Sequence, residues 1–270
     1  MCANQHQFHV QDGVLSLLTD EFRQRLGTFL AGFEPLRQAE GRRLTDTAVY
    51  PLLPCAPPLQ TNHEWRLRCY DLEVIHQLLT ARPNQHVLEI GAWNGWLSYH
   101  LTLAGHEVTA VDYFTDEYDG LRAKKHYPAD WQTIQINLTD LSVLDCQFEL
   151  VILNRCLPFF ADPVAYALAA REKVAPGGLL VLTGLAFFQD ASAKAASVAA
   201  NRRHLQANGL DYFTPMKGYL DFTDREKLQA TGMTLRPYPQ LWRANLKARF
   251  QKSAPRYEYA LLDKDGAGSP

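Results

Sequence analysis

The densest group of residues able to do chemistry is Val87-Leu88-Glu89-Ile90-Gly91-Ala92-Trp93-Asn94-Gly95-Trp96-Leu97-Ser98. An apolar run holding one acid, a turn with two glycines and a helical pattern spell strand, turn and helix. Gly91 permits an unusual backbone turn and lets a ligand approach the main chain. Gly95 lets the following helix pack close to that turn. Such a turn, at the carboxyl edge of a parallel sheet, is where α/β folds bind ligands. Next comes Val108-Thr109-Ala110-Val111-Asp112, a second strand closed by an acid. A carboxylate there accepts hydrogen bonds from both hydroxyls of a ribose. The pair points to a nucleoside-bearing ligand. A dinucleotide would require G-x-G-x-x-G, so that backbone and helix terminus reach a pyrophosphate. This chain has Gly91-x-x-x-Gly95, with Trp93 in place of the middle glycine.

The elements that position these residues follow from periodicity. Strands are predicted at Val87–Ile90, Val108–Val111, Thr133–Ile136, Leu150–Leu153 and Leu179–Leu182, with helices at Gly95–Leu103, Gly120–Tyr127 and Val164–Val174 between them. Pro176-Gly177-Gly178 reads as a turn, and Thr234–Pro237 with Tyr257–Leu262 as a terminal strand pair. Strands separated by helices imply a parallel sheet with right-handed crossovers. Upstream, Thr19 and Asp20 are good helix caps, and Phe22, Leu26, Phe29, Leu30 and Phe33 recur at helical spacing. Pro51-Leu52-Leu53-Pro54-Cys55-Ala56-Pro57-Pro58 cannot form a regular helix and marks a boundary. Asn62 caps a helix over His63–Leu79. The division expected is an N-terminal extension over 1–60, a main domain over 61–263 and a disordered tail over 264–270.

These residues resemble the class I S-adenosylmethionine-dependent methyltransferases. Glu89 through Gly95 follows the family's first motif, acid-x-G-x-G-x-G, except at Trp93. Asp112 matches its acidic second-strand end. Ile136-Asn137-Leu138, Phe148-Glu149-Leu150-Val151-Ile152-Leu153 and Val174-Ala175-Pro176-Gly177-Gly178 follow in the family's order and spacing. The resemblance covers residues 60–185 well. The stretch Gly95–Leu101 is similar to a bacterial, small-molecule-type subgroup. Asp12-Gly13-Val14 resembles the remnant of a zinc-ribbon module that precedes some relatives. Its cysteine pairs are missing, so no metal is expected.

The resemblance implies a Rossmann-like, mostly parallel seven-stranded sheet with helices on both faces, and S-adenosyl-L-methionine as cofactor. It places Glu89, Gly91, Ala92, Trp93 and Gly95 at the methionine end and Asp112 on the ribose. Tyr113 and Leu138 flank the adenine, Asn137 reads its edge, and Asn154 lies near the methyl group. Asn137 stands where the family often has an aspartate, but its amide oxygen can accept the same bond. After the fourth strand comes Asn154-Arg155-Cys156, where relatives often carry a histidine. The chemistry implied is in-line methyl transfer to a small-molecule acceptor, in which positioning supplies much of the rate.

No residue stands out as a catalytic base. His63, His126 and His204 are candidates by type only. Trp65, Tyr70, Tyr212, Phe213 and Tyr219 either line an acceptor pocket or pack the core, and Asn201–Phe222 is placed to cover such a pocket. The chain has 270 residues and a net charge of −2, which gives no global field for nucleic acid or an anionic membrane. A local patch is compatible with that balance. Arg243, Lys247, Arg249, Lys252 and Arg256 form a basic run, read as a solvated helix face or, as the alternative, an RNA contact. Nucleic acid is not expected as a partner, nor a membrane, and nothing indicates the oligomeric state. Cys2, Cys55, Cys69, Cys146 and Cys156 are odd in number with no C-x-x-C pair, so reduced thiols in a cytoplasmic protein are expected. The N-terminus lacks a secretory pattern. A catalytically weakened relative is the remaining alternative, and Trp93 is the feature that favours it.

Overall fold

The structure, a computed structural model, describes residues 9–264. It opens with a hairpin of β1 (His9–Gln11) and β2 (Val14–Ser16), turned by Asp12 and Gly13, both at positive φ. Helix α1 (Asp20–Ala39) starts where Thr19 accepts a hydrogen bond from the Phe22 amide, and buries Phe22, Leu26 and Phe29. The proline-rich stretch makes 3-10 turns at 47–52 and 57–59. Helix α2 (His63–Leu79) begins at Asn62, whose side-chain oxygen accepts from the amides of Glu64 and Trp65.

The alternating part follows: β3 (His86–Ile90), α3 (Trp96–Leu103), β4 (Glu107–Asp112), β5 (Gln132–Gln135), β6 (Phe148–Asn154), α4 (Pro163–Arg171), β7 (Val174–Phe188), α5 (Ser192–Ala207), β8 (Leu220–Asp221), α6 (Phe222–Ala230), β9 (Thr234–Pro237), α7 (Trp242–Phe250) and β10 (Arg256–Asp263). The sheet runs β1-β2-β5-β4-β3-β6-β7-β10-β9, with β8 beside β7. From β2 to β7 neighbouring strands are parallel, while β10 is antiparallel to both β7 and β9. Side chains alternate between two apolar layers. Leu88, Ile90, Val151, Leu153, Leu180 and Leu182 face one core, and Val87, Leu150, Ile152, Leu179 and Val181 the other. A sheet buried on both faces is what parallel pairing with helical crossovers produces.

Four expectations are corrected. The sheet has ten strands instead of seven: β5-β4-β3-β6-β7-β10-β9 make seven, and β1, β2 and β8 add to them. Those three are only two or three residues long, too short for periodicity to mark. The stretch expected as a helix at Gly120–Tyr127 is a 3-10 segment, Leu121–His126, whose Ala123 and Tyr127 amides bond three residues back. Strand β7 continues through Pro176-Gly177-Gly178, with a register shift against β6 between Phe148 and Leu150. Finally, Cys55 and Cys69 form a disulfide. The proline turns carry Cys55 back against α2, with 5.6 Å between the two Cα atoms. That closeness is created by tertiary folding, and a 14-residue separation does not announce it. Of the tail expected over 264–270, Lys264 is held by backbone hydrogen bonds to Gly177 and Gly178 at 2.7 and 2.9 Å, and 265–270 lie outside the described residues. Among those residues no helix is long and apolar enough to cross a membrane.

Candidate cofactor and acceptor site

Chain order places the site. From β3 the chain winds outward through β4 and β5, then returns across the sheet to β6 on the other side of β3. The crevice at the carboxyl ends of β3 and β6 is the switch point where open α/β sheets bind ligands. A cavity of about 490 Å³ opens there, within the ~300–1,000 Å³ typical of small-molecule sites.

Its floor is the turn after β3. The Gly91 and Ala92 amides both donate to the Val111 carbonyl, at 2.9 and 3.2 Å, which ties the turn to the end of β4. Gly91 has φ +75°, and a Cβ there would sit 2.8 Å from the Cβ of Cys156. Gly95, at φ +77°, lies against the Trp131 ring, 2.7 Å from where a Cβ would stand. The first glycine keeps the floor open. The second is a packing requirement behind it, and Gly95 does not line the cavity.

Two buried carboxylates end in this cavity. Glu89 is 2 % exposed and accepts a 2.5 Å hydrogen bond from Ser98 Oγ. Burial pushes its carboxyl up to about 8, and the nearby Asp112 charge adds to the rise. Asp112 accepts from the Trp93 amide at 2.8 Å and the Phe114 amide at 3.0 Å. Burial outweighs those bonds and raises it to about 6. No cation of the protein is among the causes acting on either group. A carboxylate has about four acceptor sites, so Asp112 keeps capacity for further donors.

Tyr113, Leu138 and Asn154 also line the cavity. Asn154 donates to Thr183 Oγ1 at 2.8 Å and to Asp71 Oδ2 at 3.1 Å. Asn137 stands apart, outside the lining, its Oδ1 accepting from the Thr139 amide and hydroxyl at 3.1 and 2.8 Å.

Trp93 adopts φ +51°. Its ring stacks on Trp65 with centroids 5.6 Å apart, and Nε1 donates to Asp119 at 3.2 Å. The indole is thus drawn sideways into the wall toward α2 and leaves the floor clear. Trp93→Gly should cost about 2 kcal/mol, because lost packing exceeds the relief of a left-handed backbone. It should not tighten cofactor binding. Thermal melts and titration of both proteins check this, and a large gain in affinity would mean that the indole fills the pocket.

The rest of the lining joins residues the sequence marks, such as Phe213, to others it does not, such as Phe114, Arg68 and Glu34. Helix α1 and the segment after α5 form an aromatic roof. Phe29 and Phe213 have centroids 5.0 Å apart, Tyr113 and Phe213 also 5.0 Å, and Phe33 stacks on Phe114 at 6.2 Å. Ion pairs fasten the roof: Arg37 to Asp119 at 2.9 Å and Arg43 to Asp116 at 2.5 Å. Arg68 lies over both Trp65 and Trp93, and burial with the adjacent Arg155 lowers it to about 10. Glu34 faces the cavity and makes no hydrogen bond or ion pair among the described residues. Burial, then the Asp116 charge, raises its carboxyl.

Of the three candidate histidines, His204 lines the cavity, paired with Glu40 at 2.8 Å. His63 is near the Tyr257 hydroxyl and His126 is bonded to the Glu117 carbonyl, both away from it. Of the aromatic group, Tyr212 and Phe213 line the cavity; Trp65 supports Trp93 from behind, and Tyr70 and Tyr219 are elsewhere. Among the described residues no three His, Cys, Asp or Glu side chains gather as a metal site.

A Gly91 floor open to close approach and two desolvated acids lacking a protein cation fit a nucleoside ligand that carries positive charge. Fold and site together define an α/β protein with an open, acid-lined cavity at its switch point. Residues 88–182 match a family described as methyltransferase domain. No curated protein matches the sequence. Among solved structures, the chain is similar to an O-methyltransferase family protein from Burkholderia thailandensis, at 15 % identity over 95 % of this chain and 76 % of that one, with a TM-score of 0.52. It is also similar to magnesium protoporphyrin IX methyltransferase from Synechocystis with bound SAH, at 17 % identity over 90 % and 100 % of the two chains, TM-score 0.49. A third is a phosphoethanolamine N-methyltransferase of Haemonchus contortus in complex with S-adenosyl-L-methionine, at 13 % identity over 72 % of this chain, TM-score 0.48. The chain spans 52 % of that enzyme's length. Residues 88–182 thus match a methyltransferase domain, carried on a fold similar to that of the Burkholderia protein.

Proposed function

We propose that the protein transfers the methyl group of S-adenosyl-L-methionine directly to a small molecule with an apolar, aromatic-sized body. The observation that carries this reading is the roof. Phe29, Phe33, Phe114 and Phe213 line the same cavity as Glu89 and Asp112. An aromatic-walled enclosure beside the nucleoside pocket suits a compact apolar acceptor. We further propose that the N-terminal extension, over its described residues 9–60, acts as a lid on the domain that follows.

When bound, the cofactor supplies a methyl group on a sulfonium, already activated toward a nucleophile. The residues do the positioning. Glu89 and the Gly91 turn hold the methionine end, with Arg68 as partner for its carboxylate. Asp112 holds the ribose, Tyr113 and Leu138 flank the base, and Asn154 is fixed by Thr183 and Asp71 beside the transfer path. The roof excludes water and aligns the acceptor, which is where much of the rate arises. Asn154 and the roof would hold the acceptor's lone pair in line with the bond between that methyl group and its sulfur, so that the methyl passes to the acceptor and the electron pair returns to sulfur. Glu34 is the group suited to take the acceptor's proton, because burial keeps its carboxyl above the usual range.

Glu34→Gln should lower turnover by roughly tenfold or more while the cofactor dissociation constant stays the same. A changed dissociation constant with normal turnover would place Glu34 at the cofactor. A screen of apolar amines, phenols and carboxylic acids with methyl-labelled cofactor tests the main reading. Transfer only to nucleic acid would overturn it. Cofactor binding without transfer to any acceptor would support the weakened relative. The position of the Trp93 ring, against Trp65 and out of the floor, speaks for an active site.

A further inference from the structure

Helix α7 is built inside out. Its inward face is small: Ala248 is buried, and Asn245 clasps the start of β10, donating to the Tyr257 carbonyl at 2.9 Å and accepting from the Tyr257 amide at 2.7 Å. Its large apolar residues point to solvent. Trp242 is 58 % exposed, Leu246 44 % and Phe250 84 %. Spaced four apart at about 100° per residue, they form one stripe roughly 80° wide. Arg243 and Lys247 flank the stripe on one side and Arg249 on the other. None of these three cations makes an ion pair among the described residues, and the helix contains no acid. Arg243 lies over the Trp242 ring at 5.2 Å, on the outer surface. The face is tethered at the carboxyl edge of the sheet, since Arg256 at the start of β10 pairs with Phe187 near the end of β7. That is the edge on which the cofactor cavity opens.

We propose that α7 docks this protein onto an anionic lipid surface. An exposed stripe of Trp, Leu and Phe with flanking Arg and Lys is the composition that lies in the headgroup–acyl boundary, apolar side chains down and cations against lipid phosphates. Charge selects this occupant over the others. Self-pairing of two copies through α7 would bring six unpaired cations together across an apolar contact. A polyanion such as RNA satisfies the cations but gives an aliphatic side chain like Leu246 nothing to stack on. The net charge of −2 hides the feature, because the field is local. No spanning segment is involved, and the inference is independent of the acceptor.

The test is co-sedimentation of the full chain with phosphatidylcholine vesicles, with and without phosphatidylglycerol, across salt concentration. Binding should require the anionic lipid and weaken with salt. Combined Arg243→Glu, Lys247→Glu and Arg249→Glu should reduce it by about a hundredfold, each cation contributing roughly fivefold. Combined Trp242→Ser and Phe250→Ser should reduce it at least about tenfold, with thermal melt and cofactor affinity unchanged. Quenching of wild-type tryptophan fluorescence by brominated lipid, lost in Trp242→Phe, reports insertion without depending on the double variant. Absence of vesicle binding overturns the proposal. So does anionic binding that survives loss of both aromatics and is displaced by RNA, which would mark a polyanion surface. A dimer in solution that the aromatic substitutions dissociate would show that a second copy covers the stripe.

Discussion

Asp112→Ala is expected to weaken S-adenosyl-L-methionine binding by on the order of a hundredfold while leaving a folded protein. The carboxylate is already oriented. Its two oxygens accept from the Trp93 and Phe114 amides, so it cannot swing away from the cavity. The remaining acceptor positions are those a ribose would use. Hydrogen bonds to a charged group contribute roughly 1.5–3 kcal/mol each, and two of them account for the hundredfold loss. The fold should survive because two effects oppose. The Trp93 and Phe114 amides lose an acceptor, but the protein also loses a carboxylate whose burial raises it to about 6 and therefore costs free energy when ionised. Asp112→Asn should be intermediate, since its amide keeps one acceptor oxygen and turns a donor toward a neighbouring N–H. Calorimetric titration of the three proteins measures this. An unchanged dissociation constant in Asp112→Ala would mean that the ribose is held elsewhere.

Much of the scaffold behind that carboxylate is readable from residue order. Asn62 marks the first turn of α2 because its side chain competes well for amides left open at a helix start. The core strands are readable because burial on both faces makes them continuous apolar runs. Glu89, Gly91 and Asp112 can be picked out because a strand–turn–helix followed by an acidic strand end constrains residue types locally. Arg68 and Glu34 reach the same cavity from α2 and α1. Nothing in their neighbourhoods marks them, since what gives them a site is long-range packing. The Cys55–Cys69 pair is hidden for the same reason. Helix α5, Ser192–Ala207, escapes because its sequence is largely alanine and polar, with Leu205 its one buried residue and little contrast between faces. In α7 the usual rule inverts: the large apolar residues Trp242, Leu246 and Phe250 face out, and only the basic run on the same helix is picked out from the sequence.

The same buried acids predict a dependence on pH. Glu89 stands at about 8 in the fold, against 4.5 for an ordinary carboxyl. Between those values the folded chain holds a proton that the unfolded chain has released. Stability therefore falls as pH rises from about 4.5 through about 8, by on the order of 5 kcal/mol. Asp112, raised from 3.8 to about 6, adds a fall of the same sign in the lower part of that window. The cofactor acts oppositely. It carries positive charge on its sulfonium and its ammonium, so it favours the ionised carboxylate and draws the Glu89 value down. Affinity should consequently rise with pH, by roughly tenfold or more between about pH 6 and pH 8, with a proton released on binding. The melting temperature of the free protein should thus decline across the interval in which the cofactor-induced shift grows. Glu89→Gln cannot titrate and should flatten both curves while keeping the Ser98 contact. A free protein equally stable from about pH 5 to pH 9 would show that Glu89 is hydrated in solution. A cofactor shift that shrinks with rising pH would show that Glu89 faces a neutral part of the ligand.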